Sequence, residues 1–285
     1  MPSPSLSSAR FPPTAWRHEP LTDAEASELD TYLLGRQRGQ RTIDRFWGDA
    51  TFEPPERSRP GRQAVLFSNL TWDSAVIGQE LAFDSIQSWV AAAVVYFAGR
   101  PDDELIIRVH PAEVKLPGKQ TREPLGAFLA ERFPDLPANV RVVSAEDPTS
   151  SYPLMDAADV GLVFSSTTGV ELALAGTPVI VAGQSHYRGK GFTVDVSTPA
   201  EFTAALDAVL DEPEAFVPDA ELARRYAYLF FFRAPIASPG VEEHVLGLAR
   251  ITVDDLSELA PGANPAVDRI CDGILGLGDF GPPPR

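Results

Sequence analysis

Cysteine and positive charge are both scarce in this sequence. Cys271 is the one cysteine among 285 residues, so no disulfide can form within the chain, and a reducing compartment is expected. Only 24 Lys and Arg residues stand against 40 Asp and Glu residues, which gives a formal net charge of −16. Broad contact with nucleic acid or with an anionic membrane needs a positive surface, so neither is expected as a partner. An anionic ligand must therefore be held by a few local donors.

Long apolar runs are absent as well. The longest, Trp89 to Ala98, is too short to span a bilayer. The Pro- and Ser-rich start, Met1 to Ser8, lacks the continuous apolar core of a signal peptide. Together with the single cysteine, these features predict a cytoplasmic protein whose contact with a membrane is at most peripheral.

Several enzyme signatures are missing too. The first predicted strand is not followed by Gly-x-Gly-x-x-Gly, and the chain has no Walker A motif, no zinc-type Cys/His cluster and no Gly-x-Ser-x-Gly elbow. These absences argue against a dehydrogenase, a P-loop kinase, a zinc enzyme and a standard esterase. No metal site is predicted, because no Asp-x-Asp pair ends a predicted strand to hold one, and no cofactor is predicted.

The composition changes several times along the chain and divides it into regions. The start is rich in Pro and Ser, and Thr22 with Glu25 has the spacing of a capping box that opens a helix. A Pro-rich stretch then reads as a linker. We expect a flexible leader at residues 1–20, an N-terminal helical extension and linker at 21–61, a main domain at 62–235 and a C-terminal extension at 236–285.

The main domain alternates short β-branched runs with amphipathic helices, which is typical of βαβ units in a parallel sheet. The runs are nearly all apolar, as a sheet covered on both faces requires. Apolar residues from Ile86 to Phe97 recur at helical spacing and predict one buried helix face. We therefore predict a doubly wound α/β domain with strands at residues 64–68, 104–109, 140–143, 160–164 and 179–182. Further helices are predicted at residues 122–133, 152–158, 170–175, 199–210 and 219–232.

The second predicted strand ends in Arg108-Val109-His110-Pro111. Ligands of an open parallel sheet bind at the carboxyl ends of its strands, so these residues are candidates for ligand contact. Histidine can donate a hydrogen bond to a phosphate or act as an acid, and Pro111 fixes the backbone where the strand stops. The alternative is that His110 only satisfies a loop carbonyl, and the dipeptide by itself leaves both readings open.

The fourth predicted strand runs into Ser165-Ser166-Thr167-Thr168-Gly169, just before a helix. Consecutive hydroxyls at a helix start offer side-chain and backbone donors to a phosphate, and Gly169 allows close approach. Ordinary N-capping is the alternative, although one hydroxyl would suffice for it. Glu171, in the first helical turn, suits either a ribose diol or the helix dipole.

Two further loops at strand ends carry polar residues. Asn69 and Thr71 follow the first strand and fit either a ligand-facing loop or plain turns. Arg188 and Lys190 lie among glycines after the fifth strand. They fit either a flexible loop that closes on an anion or a solvated surface turn.

In their order and spacing, these pieces resemble the capsule polysaccharide biosynthesis proteins, a family that includes 3-deoxy-manno-octulosonate (Kdo) transferases. The resemblance covers roughly residues 21–233, and it also rests on Val65-Leu66-Phe67-Ser68-Asn69, Trp72-Asp73, Gly176-Thr177-Pro178-Val179-Ile180-Val181 and His186-Tyr187-Arg188-Gly189-Lys190-Gly191. It implies a GT-B fold, in which two Rossmann-like domains face a cleft and the C-terminal one holds a nucleotide sugar. About 60 residues precede the first strand, too few for a second Rossmann domain of typical size. We therefore expect the donor-binding half, either as one half of a split or truncated enzyme or as a chain that acts with another polypeptide.

The resemblance implies a role for each candidate residue. His110 and the hydroxyls of Ser165 to Thr168 contact the donor phosphate, often that of a CMP-activated sugar, and Glu171 contacts the ribose. His110 and Glu171 are thus the catalytic candidates. The remaining donor-binding candidates are Asn69, Thr71, Arg108, Arg188 and Lys190.

The function implied is a nucleotide-sugar-dependent glycosyltransferase of capsule or surface polysaccharide biosynthesis. Its partners would be the nucleotide sugar, a glycan acceptor and a second chain that supplies the acceptor domain and the base. Three alternatives stay open. They are a non-catalytic nucleotide- or glycan-binding module of a capsule assembly complex, a polyol-phosphate transferase similar to teichoic-acid polymerases, and a sugar-nucleotide epimerase.

Overall fold

The computed structural model describes residues 15–40, 50–53, 56–73, 76–115, 121–236, 240–245 and 248–278. The chain divides into two compact units. The larger unit is Ala26–Arg224, and the smaller one combines Met1–Glu25 with Arg225–Arg285. Of the predicted extension and linker, residues 26–40, 50–53 and 56–61 are described and fall within the range of the larger unit.

The larger unit is built on one six-stranded parallel sheet. Its strands are β1 (Gln63–Phe67), β2 (Glu104–Arg108), β3 (Val140–Val143), β4 (Val160–Val163), β5 (Val179–Val181) and β6 (Val194–Asp195). They lie in the order β3-β2-β1-β4-β5-β6, and every neighbouring pair is parallel. This is the strand order of a Rossmann fold, and the predicted doubly wound α/β class is confirmed.

The sheet is covered on its faces because its central strands have no polar face to expose. Every residue of β1, β2, β4 and β5 is buried, whereas β3, at one edge, has two half-exposed residues. Strands buried along their whole length need helices on both sides. Of the helices α3 (Ile86–Ala98), α4 (Ala112–Lys115), α5 (Leu125–Arg132), α6 (Ser151–Ala157), α7 (Thr168–Leu174) and α8 (Pro199–Asp211), α3, α6, α7 and α8 contact the strands, and α5 packs against α3. Two further helices, α2 (Asp23–Gln37) and α9 (Ala220–Tyr228), lie mostly or partly within the range of the larger unit.

Helix α3 shows how the sequence pattern becomes packing. Its start is fixed by a capping box between Ser85 and Ser88. Its buried residues are Ile86, Trp89, Val90, Ala93, Val94 and Phe97, which confirms the predicted apolar face. The Trp89 ring lies 5.6 Å from that of Phe164 at the end of β4, so the helix packs over the centre of the sheet.

Two predicted helices have different bounds in the structure. α5 begins at Leu125 and not at Arg122, because Pro124 is its N-cap, and the residue before a proline is disfavoured in helical conformation. The helix predicted at 219–232 is α-helical only over α9 and continues as a π-helical turn, Leu229–Arg233. β6, with two residues, is too short to produce a periodic signal.

The smaller unit contains α1 (Ala15–His18), an antiparallel pair formed by β7 (Val241–Val245) and β8 (Leu248–Ile251), and α10 (Pro265–Leu275). Residues 1–14 of the predicted leader lie outside the described residues. Within α1, Trp16 is buried, and its ring lies edge-on to that of Tyr226 at 5.3 Å. This part of the predicted leader is therefore held by an aromatic contact. No helix in the described ranges is long and apolar enough to cross a membrane.

The buried Asn139 joins the end of α3 to the start of β2. Its Nδ2 lies 2.8 Å from the carbonyl oxygen of Phe97, 2.9 Å from that of Arg100 and 2.8 Å from that of Asp103. Two of these carbonyls also accept a backbone N–H, that of Phe97 from Arg100 at 3.0 Å and that of Arg100 from Asp103 at 3.1 Å. The Asn139 amide thus ties together the backbone where the chain enters the second strand.

We expect Asn139→Ala to lower the free energy of unfolding by about 2–3 kcal/mol, because three carbonyl groups would lose this side-chain donor. Urea denaturation followed by circular dichroism measures this change. The exposed neighbour Asp102 provides the control, and Asp102→Ala should change the free energy by no more than about 0.5 kcal/mol. Equal effects of the two substitutions would contradict the role given to Asn139.

Candidate functional site

A cavity of about 190 Å³ opens at the carboxyl ends of β1, β2 and β4. In a sheet of this strand order, the direction of winding reverses between β1 and β4, and a crevice forms there. Six of the predicted site residues line the cavity: Arg108, His110, Ser166, Thr167, Thr168 and Glu171. Residues distant in the sequence are therefore brought to one place by the topology of the sheet.

His110 is fixed in the cavity by two backbone contacts. Its own N–H donates to Oγ of Ser68 at 2.9 Å, and the N–H of Ala112 donates to its Nδ1 at 3.1 Å. Burial, and then the positive charge of Arg108, lower the pKa of His110 to about 4. The imidazole is therefore neutral at pH 7, and because Nδ1 is an acceptor, its proton lies on Nε2. His110 thus offers one N–H group for a ligand.

The hydroxyl turn, Ser165 to Thr168, has a well-defined internal geometry. Oγ of Ser166 donates to Oγ1 of Thr168 at 3.0 Å and accepts from the Thr168 N–H at 3.3 Å. Thr167 occupies the N-cap of α7, yet its side chain makes no capping hydrogen bond. Capping alone therefore does not account for the hydroxyls that line the cavity.

Tyr187 holds the backbone of this turn through a hydrogen bond. The ring is fully buried, and its Oη donates to the carbonyl oxygen of Ser166 at 2.6 Å. A Cβ atom added at Gly169 would collide with the Tyr187 phenol. The glycine expected to allow close approach of a ligand in fact makes room for a tyrosine. Tyr187 itself lies in a loop that the sequence suggested could close on an anion.

Five of the predicted donor-binding residues, all within the described ranges, are not among those that line the cavity: Asn69, Thr71, Ser165, Arg188 and Lys190. Oδ1 of Asn69 accepts from the Ser165 N–H at 3.4 Å, which joins the ends of β1 and β4. Arg188 donates to the carbonyl of Val181 at 3.2 Å and to Oγ of Ser197 at 2.7 Å. The contact of these five residues with a ligand stays a prediction.

Glu171 is held by two side chains that the sequence analysis did not select. Nε and Nη2 of Arg36 donate to its Oε1 at 3.2 and 2.7 Å, and Oη of Tyr152 donates to its Oε2 at 2.5 Å. Burial, together with the charge of Glu171, raises the pKa of Tyr152 well above its usual value. Burial by itself would lower the pKa of Arg36, but the charge of Glu171 and its hydrogen bond outweigh burial and raise that pKa. Arg36 and Tyr152 also line the cavity.

Arg36 and Tyr152 carry no motif that could have identified them. Arg36 lies on α2, outside the predicted main domain, and Tyr152 lies in the first turn of α6. A single arginine or tyrosine on a helix gives no sign of which residue it contacts. Only the folded chain places both of them against Glu171.

Arg108 is buried and lines the cavity. Its Nη1 donates to the carbonyl oxygens of Ser144 at 2.8 Å and Asp147 at 3.4 Å, in the loop after β3. The guanidinium therefore fixes this loop and also keeps a positive charge close to His110. Within the described ranges, no three His, Cys, Asp or Glu side chains come together in a way that could hold a metal ion.

Comparison with known proteins gives one sequence-family match and several distant structural ones. No curated protein matches the chain. A beta Kdo 2,7 transferase, KpsC of Thermosulfurimonas dismutans, is 17% identical with a TM-score of 0.41, over 73% of this chain and 53% of that one. Its beta Kdo 2,4 transferase is 18% identical with a TM-score of 0.43, over 73% and 56%. The chain thus spans about half the length of these structures.

A third similar structure is the UDP-GlcNAc 2-epimerase of Neisseria meningitidis, at 16% identity and a TM-score of 0.37, over 72% of this chain and 47% of that one. The sequence-family match is more extensive. The model of the capsule polysaccharide biosynthesis proteins matches residues 23–227. This match covers most of the chain, which therefore belongs to the capsule polysaccharide biosynthesis protein family.

Proposed function

We propose that the chain is the donor-binding part of a glycosyltransferase that uses a nucleotide-activated sugar, with a CMP-activated sugar such as Kdo as the expected donor. The observation that carries this proposal is the convergence of His110, Ser166 and Thr168 on one cavity at the reversal point of the sheet. The imidazole N–H and the hydroxyls are donors suited to phosphate oxygens. Glu171, at the same cavity, suits the hydroxyls of a ribose.

The proposed reaction is a displacement at the anomeric carbon of the donor sugar. The acceptor oxygen forms a bond to that carbon, while the bond from the carbon to the phosphate oxygen breaks and the nucleotide leaves with the electron pair. Nε2–H of His110 and the hydroxyls of the turn stabilise the charge that develops on the phosphate. The acceptor proton passes to a base, which we assign to a partner chain that carries the acceptor domain.

A panel of nucleotides tests binding at the cavity. CMP, UDP, GDP and CDP-glycerol are compared by thermal shift, and we expect CMP to stabilise the protein most. At a hundred times its dissociation constant, a ligand adds about 2.7 kcal/mol of stability. If none of the four shifts the melting temperature, the proposal fails.

His110→Asn and Ser166→Ala should each weaken CMP binding by about 10-fold to 100-fold, because each removes a donor to a charged group. Asparagine retains an acceptor for the Ala112 N–H and lacks the distal N–H. Calorimetric titration measures the dissociation constants. His18→Asn and Thr203→Ala change an exposed histidine and an exposed hydroxyl residue and should leave binding unchanged. If these controls weaken binding as much as the cavity variants do, the site is misplaced.

Tyr187→Phe should weaken CMP binding several-fold, although Tyr187 does not line the cavity. The Ser166 carbonyl then keeps only its bond from the Gly169 N–H, at 3.1 Å, and the hydroxyl turn loosens. Tyr96→Phe is the matched control, since Oη of Tyr96 donates to Oδ1 of Asp207 at 2.7 Å on the protein surface. Both substitutions should lower stability by about 1 kcal/mol or less. Only the first should change the dissociation constant for CMP, and equal binding by the two variants would refute the supporting role of Tyr187.

Turnover separates the proposed transferase from the other functions. CMP release from a CMP-activated sugar is followed with the chain alone and with candidate partner chains of the same assembly system. We expect release only when a partner that carries the acceptor domain is present. Lack of release with any partner would favour a non-catalytic binding module, and conversion of a UDP-sugar without an acceptor, seen by nuclear magnetic resonance, would indicate an epimerase.

A further inference from the structure

We propose that Arg36 exchanges partners when a nucleotide binds: it leaves Glu171 and pairs with the phosphate, while the ribose diol takes its place on the carboxylate. The cavity would then select ligands that carry an anionic group and a vicinal diol together. This inference rests on the proposed function and deepens it, because it concerns how the same cavity recognises its ligand.

The first step of the argument is the number of hydrogen bonds that Glu171 can accept. A carboxylate has about four lone-pair sites. Three are used by the protein, two by Arg36 on Oε1 and one by Tyr152 on Oε2. A ribose diol brings two donors to the same group. At least one protein donor must therefore leave before both hydroxyls can bind.

The second step concerns which donor leaves. Both Arg36 bonds go to Oε1, so its departure frees two sites, whereas the diol lacks only one. Arg36 has a long flexible stem and lies next to the last residue of α2. Tyr152 has a short rigid side chain in the first turn of α6, and its bond to Oε2 is short, at 2.5 Å. Arg36 is the partner that can move.

The third step is the balance of charge inside the cavity. The side chains of Arg36 and Glu171 are only 18% and 7% exposed, and parting such an ion pair is costly unless new partners replace the old ones. A phosphate bound by His110 and the hydroxyl turn would lie in the cavity that Arg36 also lines. The planar guanidinium matches phosphate oxygens in a two-pronged contact. The ribose diol meanwhile donates hydrogen bonds to the Glu171 carboxylate in place of Arg36.

This exchange makes the two parts of the ligand cooperate. A phosphate alone draws Arg36 away and leaves Glu171 short of donors, and a diol alone displaces Arg36 from Glu171 with no phosphate to receive it. A ligand with both parts gives Arg36 a phosphate and Glu171 two hydroxyl donors. Binding of one part should therefore strengthen binding of the other, and such coupling acts equally in both directions.

Wild-type protein tests the coupling without any substitution. Cytidine supplies the diol and inorganic phosphate supplies the anion, and their binding is followed by calorimetric titration. We expect cytidine to bind several-fold more tightly in saturating phosphate than in chloride of equal ionic strength. Dideoxycytidine, which lacks the diol, should show no such gain. Equal affinity of cytidine in the two salts overturns the inference.

Arg36→Gln tests the residue itself. We expect CMP to bind at least tenfold more weakly, whereas cytidine binds as well as before or better, since Glu171 is then easier to reach. Arg36→Lys keeps the charge without the planar fork and should recover part of the CMP affinity. A similar loss for cytidine and CMP in Arg36→Gln, or no loss for CMP, overturns the inference.

The outcomes separate this inference from the proposed function. If CMP binds and His110→Asn weakens it, while Arg36→Gln does not, the donor site stands and the exchange is wrong. If wild-type protein binds none of CMP, cytidine and phosphate, both the donor site and the exchange fail.

Discussion

The candidate site depends on the parallel alignment of β1, β2 and β4. Phe67 at the end of β1 pairs with Arg108 on one side and with Val163 on the other, so the three strands stop at the same level of the sheet. The residues that follow each strand are thereby placed next to one another. His110 donates to Ser68 across 42 positions of sequence, a contact that exists only in this register. A slip of one residue would turn these side chains to the opposite face.

Burial determines the charge state of the groups in the cavity more than the net charge of the chain does. The chain carries a formal charge of −16, yet the cavity gathers donors that are neutral or locally fixed. His110 stays uncharged because burial and Arg108 lower its pKa, and the hydroxyls carry no charge at all. Arg36 and Arg108 contribute positive charge from within the structure. An acidic protein can in this way present a site for an anion without a positive surface.

Several residues that resemble ligand contacts in the sequence make contacts within the protein that support the site. Gly169 accommodates the ring of Tyr187, and Tyr187 holds the carbonyl of Ser166. Asn69 links two strand ends through the Ser165 N–H, and Arg188 bonds to the loop around Ser197. Such second-layer contacts fix the hydroxyl turn in one conformation, which is a condition for preorganised binding of a phosphate.

The sequence by itself determined the fold class, the five longer strands within one residue at each end, and the position of His110 and the hydroxyl turn at strand ends. It could do so because buried parallel strands are continuous apolar runs, and because ligands of such sheets bind where the strands stop. Only the tertiary structure decided that Arg36 and Tyr152 hold Glu171, that Tyr187 fills the space beside Gly169, and that Arg188 bonds to the β5–β6 region. These contacts join residues far apart in sequence, and local periodicity carries no information about which side chains meet when helices and loops pack on a sheet.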